Sequence, residues 1–133
     1  VNQKECISFM ERFVGTLGFK SVKIMSPQAH DEIISFTSQL PHAIAVSLIN
    51  SDNEKYETGK YIGDSYRDLT RIANINENLW SELFLRNSDY LLASIEAFEE
   101  QLDLIKVALK DNDERLLKDL FIKSSLRREK LEK

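Results

Sequence analysis

Residues that interrupt helices are scarce in this sequence, which has four glycines and two prolines among its 133 residues. Strict alternation of polar and apolar residues, the pattern of a half-buried strand, is nearly absent beyond one short segment. Apolar residues recur instead at intervals of three and four, which is the spacing of one face of an α-helix. The sequence therefore predicts an all-α fold for most of its length.

The segment from Ser88 to Lys110 has the most regular of these apolar stripes. Its members are separated alternately by four and three residues: Leu91, Ile95, Phe98, Leu102, Ile105 and Leu109. This spacing predicts a heptad seam. Asp111-Asn112-Asp113 interrupts the seam, and a second apolar series from Leu116 to Phe121 predicts an antiparallel partner helix. The helices of one chain are too few to bury every apolar face, so we expect a homodimer.

The beginning of the chain has a different pattern. Apolar residues at helical spacing run from Ile7 to Leu17 and stop at Gly18, a residue suited to the left-handed end of a helix. In residues 19–25, Val22 and Ile24 alternate with polar neighbours, which predicts a short strand. Because no other segment alternates in this way, the strand has no predicted partner within the chain.

A helix and a lone strand together are half of an α/β unit. We therefore expect residues 1–25 to be the terminal helix-strand remnant of an α/β nucleotide-binding domain, and residues 26–133 to be a helical domain. The boundary falls at Ser26-Pro27, where a serine N-cap followed by proline suits a helix start. We also expect the chain to be an excised piece of a longer protein, since it begins at Val1 with no signal-peptide pattern.

The helix that starts at Pro27 is predicted to be long, reaching about Asn50. Pro41 lies inside it and has no N–H to bond to the carbonyl of Thr37, so we expect a kink beside His42. After a polar loop, another helix is predicted over residues 76–86. Its expected buried side consists of Leu79, Trp80, Leu83 and Phe84.

Composition argues against several classes of function. The net charge is −4 and the basic residues are mixed with acids, so we expect no nucleic-acid partner. No apolar run approaches the roughly 18 residues of a membrane span, and we expect no membrane partner. Cys6 is the only cysteine, which fits a reducing cytoplasm, and with only two histidines we expect no metal site. No Gly-rich phosphate loop is present, so we expect no cofactor-binding residues in this chain.

Three groups of residues could carry chemistry. His42 beside the predicted kink is either a buried histidine bonded to a backbone carbonyl or a binding group. Arg67, Asp68 and Arg71 form either an internal network that braces a loop or a clamp for a carboxylate, which guanidinium binds with two hydrogen bonds. Trp80 provides a flat apolar wall with an indole N–H, although such a tryptophan is more often part of a core.

The order of these motifs resembles the C-terminal domain of prephenate dehydrogenases. The resemblance covers essentially the whole chain and is carried by His30-Asp31, Leu40-Pro41-His42, the run Tyr66-Arg67-Asp68-Leu69-Thr70-Arg71-Ile72-Ala73, Leu79-Trp80 and Asn87. Many members of the family have a second histidine where this sequence has Gln39. In that family a Rossmann domain binds the nicotinamide cofactor and a helical domain forms the dimer.

The resemblance implies an oxidative decarboxylation of prephenate to 4-hydroxyphenylpyruvate, with NAD or NADP held by the absent domain. It implies that Arg71 pairs with a substrate carboxylate and that His42 lies at the substrate pocket. Asp68 and Trp80 would hold Arg71 and the pocket wall in place. The catalytic histidine of the family belongs to the Rossmann domain, so no catalytic residue is expected in this chain.

Alternatives remain at this point. The parent enzyme could act on arogenate or on another carboxylate. The chain could also be a non-catalytic helical dimerisation module, in which His42 and the arginine cluster only brace the fold.

Overall fold

The computed structural model describes residues 3–131, and these residues form helices joined by short loops. The α-helices are α1 (Gln3–Thr16), α2 (Pro27–Ile34), α3 (Leu40–Asn50), α4 (Asp64–Thr70), α5 (Glu77–Arg86), α6 (Ser88–Lys110) and α7 (Glu114–Leu131). A π-helical turn, Ser35–Gln39, joins α2 to α3, and 3-10 turns cover Thr58–Lys60 and Arg71–Ala73. None of the helices in residues 3–131 is long and apolar enough to cross a membrane.

The chain divides into two compact units, and the division falls between His30 and Asp31, inside α2. The domain boundary predicted between Met25 and Ser26 precedes this division and stays a prediction. In the first unit, α1 ends as expected at Gly18, whose φ of +89° is in the left-handed region.

The strand predicted for residues 19–25 is not formed, and no strand occurs elsewhere in residues 3–131. Val22 and Ile24 instead border a shallow apolar pocket together with Ile7 and Met10 of α1. A strand is stabilised by hydrogen bonds to a neighbouring strand, and this sequence offers no second one. The alternating pattern shows that one face of the segment is apolar and packs. The pattern alone does not provide the neighbouring strand that a β-strand needs for its hydrogen bonds.

In the second unit, the π-turn and α3 pack against α6, and α4 and the 3-10 turn at Arg71–Ala73 pack against α3. The buried apolar side chains are few: Leu40, Ala45, Leu91 and Ala108. Ser35 and Gln39 of the π-turn are buried beside them. The segment that carries His42 is therefore the centre of this unit.

The irregularity expected near Pro41 takes the form of a π-helical turn. The N–H of Leu40 bonds to the carbonyl of Ser35, five residues back, so the helix is widened just before the proline. Pro41 then lies in the first turn of α3, directly after the π-turn. The sequence therefore located the break correctly, and the structure shows a π-turn in place of a simple kink.

Helices α6 and α7 form the predicted antiparallel hairpin. The two helices pack together, and Gln101 and Ile105 of α6 line a shallow pocket with Leu120, Phe121 and Arg127 of α7. Asn112 takes a φ of +52° in the connection. The carboxylate of Asp113 accepts the N–H of Leu116 at 2.9 Å, which caps α7.

Much of the apolar surface of this unit is exposed. Leu91 of the heptad seam is buried, but Leu102 is 46% exposed and Leu109 is 64% exposed. Leu79 and Leu83 of α5 were predicted to be buried and are exposed by 54% and 39%. That prediction was wrong for the single chain, because α5 buries Trp80 and Phe84 only in part and leaves its other apolar residues uncovered.

Candidate functional site

The His42 ring stacks on the Trp80 indole, with 3.7 Å between ring centroids and 26° between ring planes. Phe84, one turn further along α5, meets the indole edge-on at 5.8 Å and 89°. Both arrangements are favourable for aromatic rings. His42 and Trp80 are half-buried, so the stack forms a flat wall that is still partly open to solvent.

The orientation of the His42 ring is fixed by a backbone hydrogen bond. Its Nδ1 lies 2.8 Å from the carbonyl oxygen of Ser38 in the π-turn. A carbonyl can only accept, so Nδ1 carries the hydrogen and donates. Nε2 is then an acceptor in the neutral ring and a donor in the imidazolium. Of the two alternatives for His42, the carbonyl-bonded histidine is present, and its second nitrogen remains available for a ligand.

Trp80 is held by a well-formed helix start. Asn76 is the N-cap of α5, and its side chain accepts the N–H of Leu79 at 2.9 Å. Trp80 follows within the first turn, and its backbone N–H bonds to the carbonyl of Asn76 at 3.0 Å. The indole is therefore attached to the capped first turn of α5.

The arginine cluster does not form the internal network that the sequence allowed. Arg67 pairs with Asp64, Nη1 to Oδ1 at 3.3 Å, and both side chains are largely exposed. Asp68 and Arg71 are exposed, and neither forms an ion pair within residues 3–131. Asp68 thus does not hold Arg71 in this chain, and the guanidinium of Arg71 is free to bind an anion.

The backbone brings these groups into one region. The turn Arg71–Ala73 and helix α4 pack against α3, which carries His42, and His42 in turn contacts Trp80 of α5. All four residues predicted to bind substrate thus lie on α3 or on elements in contact with it, with Asp68 on α4. Within the described chain no group of three His, Cys, Asp or Glu residues is placed to hold a metal ion.

The structure also reveals polar contacts that the sequence did not predict. Gln39 is buried and hydrogen-bonds to Asn87 and to the carbonyl of Leu83. The side chains of Ser35 and Ser94 lie 2.9 Å apart. Ser35 and Gln39 are four apart on the helix, next to the apolar Leu40, and this spacing was the signal that both face inward.

Comparison with known proteins gives these residues a family. The family described as "Prephenate dehydrogenase, dimerization domain" matches residues 26–123. A cyclohexadienyl dehydrogenase of Zymomonas mobilis is 31% identical over 77% of this chain and 37% of its own length. The chain therefore spans well under half of that curated relative.

Two solved structures have the same fold. A prephenate dehydrogenase from A. aeolicus, in complex with hydroxyphenyl propionate and NAD+, superposes with a TM-score of 0.68 at 32% identity, covering 82% of this chain and 40% of that one. A Synechocystis arogenate dehydrogenase superposes with a TM-score of 0.83 at 21% identity, covering 96% and 48%, which shows the fold alone. The family match extends over most of the chain and includes α2 to α6 and the first half of α7, so the chain belongs to the prephenate dehydrogenase dimerization-domain family.

Proposed function

We propose that this chain is the substrate-side and dimerisation domain of an NAD- or NADP-dependent prephenate dehydrogenase. The observation that carries the proposal is the wall formed by His42 and Trp80, together with an unpaired Arg71 on a turn that packs against α3, the helix of His42. A flat aromatic wall suits a six-membered ring, and a guanidinium without an internal partner suits a carboxylate. Prephenate has both features.

The reaction needs little chemistry from this chain. A hydride leaves the ring carbon that bears the hydroxyl, the bond between the ring and its carboxylate breaks, and carbon dioxide and 4-hydroxyphenylpyruvate result. Aromatisation of the ring provides the driving force. NAD or NADP, bound by the nucleotide-binding domain of the parent enzyme, would accept the hydride. Residues 1–25 are proposed as the end of that domain, and no residue of this chain is assigned to the cofactor or to acid-base catalysis.

The role of this chain is to bind and orient the substrate. Arg71 pairs with a carboxylate, and Trp80 covers one face of the ring. His42 offers Nε2 to a polar substituent, because Nδ1 is already occupied by Ser38. Asp68 has no partner in the described chain, and we assign it to the rim of the pocket, where it would come close to Arg71 once substrate is bound.

The second part of the proposal is that the parent enzyme is a homodimer. The apolar residues that remain exposed on α6 and α7 include Leu102, Leu109 and Phe121, each 46% exposed or more. Surfaces of this kind on a stable protein are normally covered by a partner. We also place the parent enzyme in the cytoplasm, where the unpaired Cys6 would stay reduced.

The decisive test is the activity of the full-length parent enzyme on prephenate with NAD or NADP, followed by the absorbance of the reduced cofactor. Prephenate-dependent reduction that falls strongly in His42→Asn would support both the reaction and the placement of His42. Asparagine keeps a polar side chain but cannot become a cation or stack as a ring on Trp80. A folded enzyme that reduces cofactor with arogenate and not with prephenate would contradict the substrate assignment.

A further inference from the structure

Gln39 is a buried amide that joins two parts of the candidate site. It is 4% exposed and is the last residue of the π-turn. Its Nε2 donates to the carbonyl of Leu83 at 3.0 Å, and its Oε1 accepts from Nδ2 of Asn87 at 2.8 Å. Both ends of the amide are therefore satisfied by the region where α5 ends and α6 begins.

Asn87 extends this arrangement to a third helix. Its Nδ2 also donates to the carbonyl of Asp31 in α2 at 2.9 Å. We call the side chains of Gln39 and Asn87, with the carbonyls of Asp31 and Leu83, the amide clamp. The clamp links α2, the π-turn, the end of α5 and the start of α6 through side-chain hydrogen bonds.

The carbonyl of Leu83 needs such a partner because it lies in the last turn of α5, where carbonyl groups lack N–H partners within the helix. The N–H of Asn87, which would reach Leu83 in a continued helix, bonds instead to the carbonyl of Phe84 at 3.3 Å. Gln39 therefore completes the end of α5, and losing its donor would leave a backbone acceptor short of a partner.

The amide clamp is adjacent to the His42 and Trp80 stack, both along the segment from the π-turn into α3 and along α5. His42 follows Gln39 by three residues, which is about one helical turn, and Trp80 precedes Leu83 by the same interval. The clamp and the stack thus both join α5 to the segment that runs from the π-turn into α3. A shift of α5 along α3 would break the two together.

We propose that Gln39, acting with Asn87, is a positioning residue that sets the His42 and Trp80 wall in its ligand-binding geometry. This inference rests on the proposed function for its kinetic consequence, but its structural part is independent of any activity. Neither residue is assigned a contact with substrate. Each acts through the ring stack that the substrate would meet.

The chain provides a matched control in the same π-turn. The hydroxyls of Ser35 and Ser94 are hydrogen-bonded to each other at 2.9 Å and join the π-turn to α6, away from the Trp80 helix. Ser94→Ala removes a hydrogen bond from the same turn but leaves the amide clamp in place. If general loosening of the π-turn were all that mattered, this control would act like a clamp variant.

The first measurement is NMR of the full-length parent enzyme with labelled histidine, in which the His42 signals are assigned by their loss in His42→Asn. The indole ring current displaces these signals, and Trp80→Leu gives their position without the stack. Gln39→Met keeps the length of the side chain and removes both hydrogen bonds. Asn87→Ala opens the clamp from its less buried end, so the test survives if Gln39→Met does not fold. Both are expected to move the His42 signals towards the Trp80→Leu position, whereas Ser94→Ala leaves them unchanged.

The second measurement is steady-state kinetics on the same variants. Gln39→Met and Asn87→Ala are each expected to raise KM for prephenate roughly tenfold with little change in kcat, because they misplace a binding wall and leave the reacting groups alone. The double variant is expected to be no worse than either single one, since both remove one unit. Gln39→His is expected to restore both readouts, because a neutral imidazole also has one donor and one acceptor.

The two measurements separate the possible failures. An enzyme that does not turn over prephenate would overturn the proposed function, and the NMR comparison would still decide on the clamp. Unchanged His42 signals in both clamp variants would overturn the positioning role, whatever the activity. An equal displacement in Ser94→Ala would also overturn it, because the effect would then belong to the π-turn as a whole.

Discussion

The region around the π-turn and the α6–α7 hairpin differ in whether their side chains find partners within the chain. Around the π-turn, the buried polar side chains of Ser35 and Gln39 find their partners within the same chain. Throughout the described residues, no buried side-chain nitrogen or oxygen lacks a hydrogen bond. On the hairpin, by contrast, large apolar side chains such as Leu109 and Phe121 remain exposed.

The difference indicates which part of the domain is self-sufficient. Hydrogen bonds are directional, so a polar network that closes within one chain can fix ring positions before any partner arrives. Apolar burial has no direction and can be completed by a second copy. The positions of His42 and Trp80 are therefore set by contacts within the single chain, whereas the exposed apolar face of the hairpin is the part that the proposed dimer would cover.

The largest effect is expected from a charge on the apolar side. Leu102 borders an open groove between α3 and α6 that is also lined by Ile44, Leu48 and Phe98. Leu102→Glu would place a carboxylate in the surface that the proposed dimer would cover, at a cost of roughly 3 kcal/mol or more, which would weaken the dimer at least about a hundredfold. Sedimentation velocity on the full-length parent would show this as a shift to monomer.

Asn78→Glu is the control for this variant, since it adds the same charge at an exposed polar position of α5. It is expected to leave the dimer intact. A wild-type protein that sediments as a monomer at micromolar concentration would contradict the comparison itself. The exposed hairpin would then need a different explanation.

The next effect in size concerns two arginines that differ in their partners. Arg71 has no ion pair in the described chain, whereas Arg67 is paired with Asp64. Arg71→Ala should raise KM for prephenate by the value of one charge-assisted hydrogen-bonded pair, roughly 1.5 to 3 kcal/mol or about 10- to 150-fold. Arg67→Ala loses an exposed pair and should change KM little. Equal effects of the two variants on KM would contradict the assignment of Arg71 to the substrate carboxylate.

Some parts of the fold could be predicted from the sequence and others could not. The extents of α5, α6 and the hairpin followed from apolar spacing and from the break at residues 111–113, because these are local signals. The strand at residues 19–25 was predicted wrongly, because a β-strand also needs a neighbouring strand to which it can hydrogen-bond, and the local sequence does not show whether one is present. The burial of Leu79 was also predicted wrongly, because periodicity shows which face is apolar and not what covers it.

The candidate site was predictable in its residues more than in its contacts. The sequence singled out His42 and Trp80, and the structure adds that they stack on each other. It also suggested that Asp68 would brace Arg71, which the described chain does not show. The amide clamp was missed, since Gln39 and Asn87 are far apart in sequence and nothing local shows that two amides will meet.

A smaller effect is expected from the ring stack. Trp80→Leu keeps an apolar side chain on α5 but removes the ring contacts to His42 and Phe84, which should cost about 0.5 to 1.5 kcal/mol of stability beyond the loss of apolar area. Thermal unfolding of the full-length parent would show a lowered midpoint, and dimerisation should be unaffected. If the variant dissociated the dimer, the ring stack would also contribute to dimerisation, and the stack and the hairpin would not act independently.

The smallest effect is expected from the surface ion pair on the same helix. Arg86 donates to Glu82 at 2.7 Å, but both side chains are more than half exposed, and such pairs contribute about 0.5 kcal/mol or less. Glu82→Gln should therefore leave both thermal midpoint and KM nearly unchanged, even though it lies between Trp80 and Leu83 of the clamp. The buried amide of Gln39, which has no charge, should matter more than this charged pair, because only its loss leaves a buried group without a partner. If Glu82→Gln lowered the thermal midpoint or raised KM as much as Gln39→Met, this ranking would be contradicted. The exposed ion pair, and not the buried hydrogen bonds of Gln39, would then fix the position of α5.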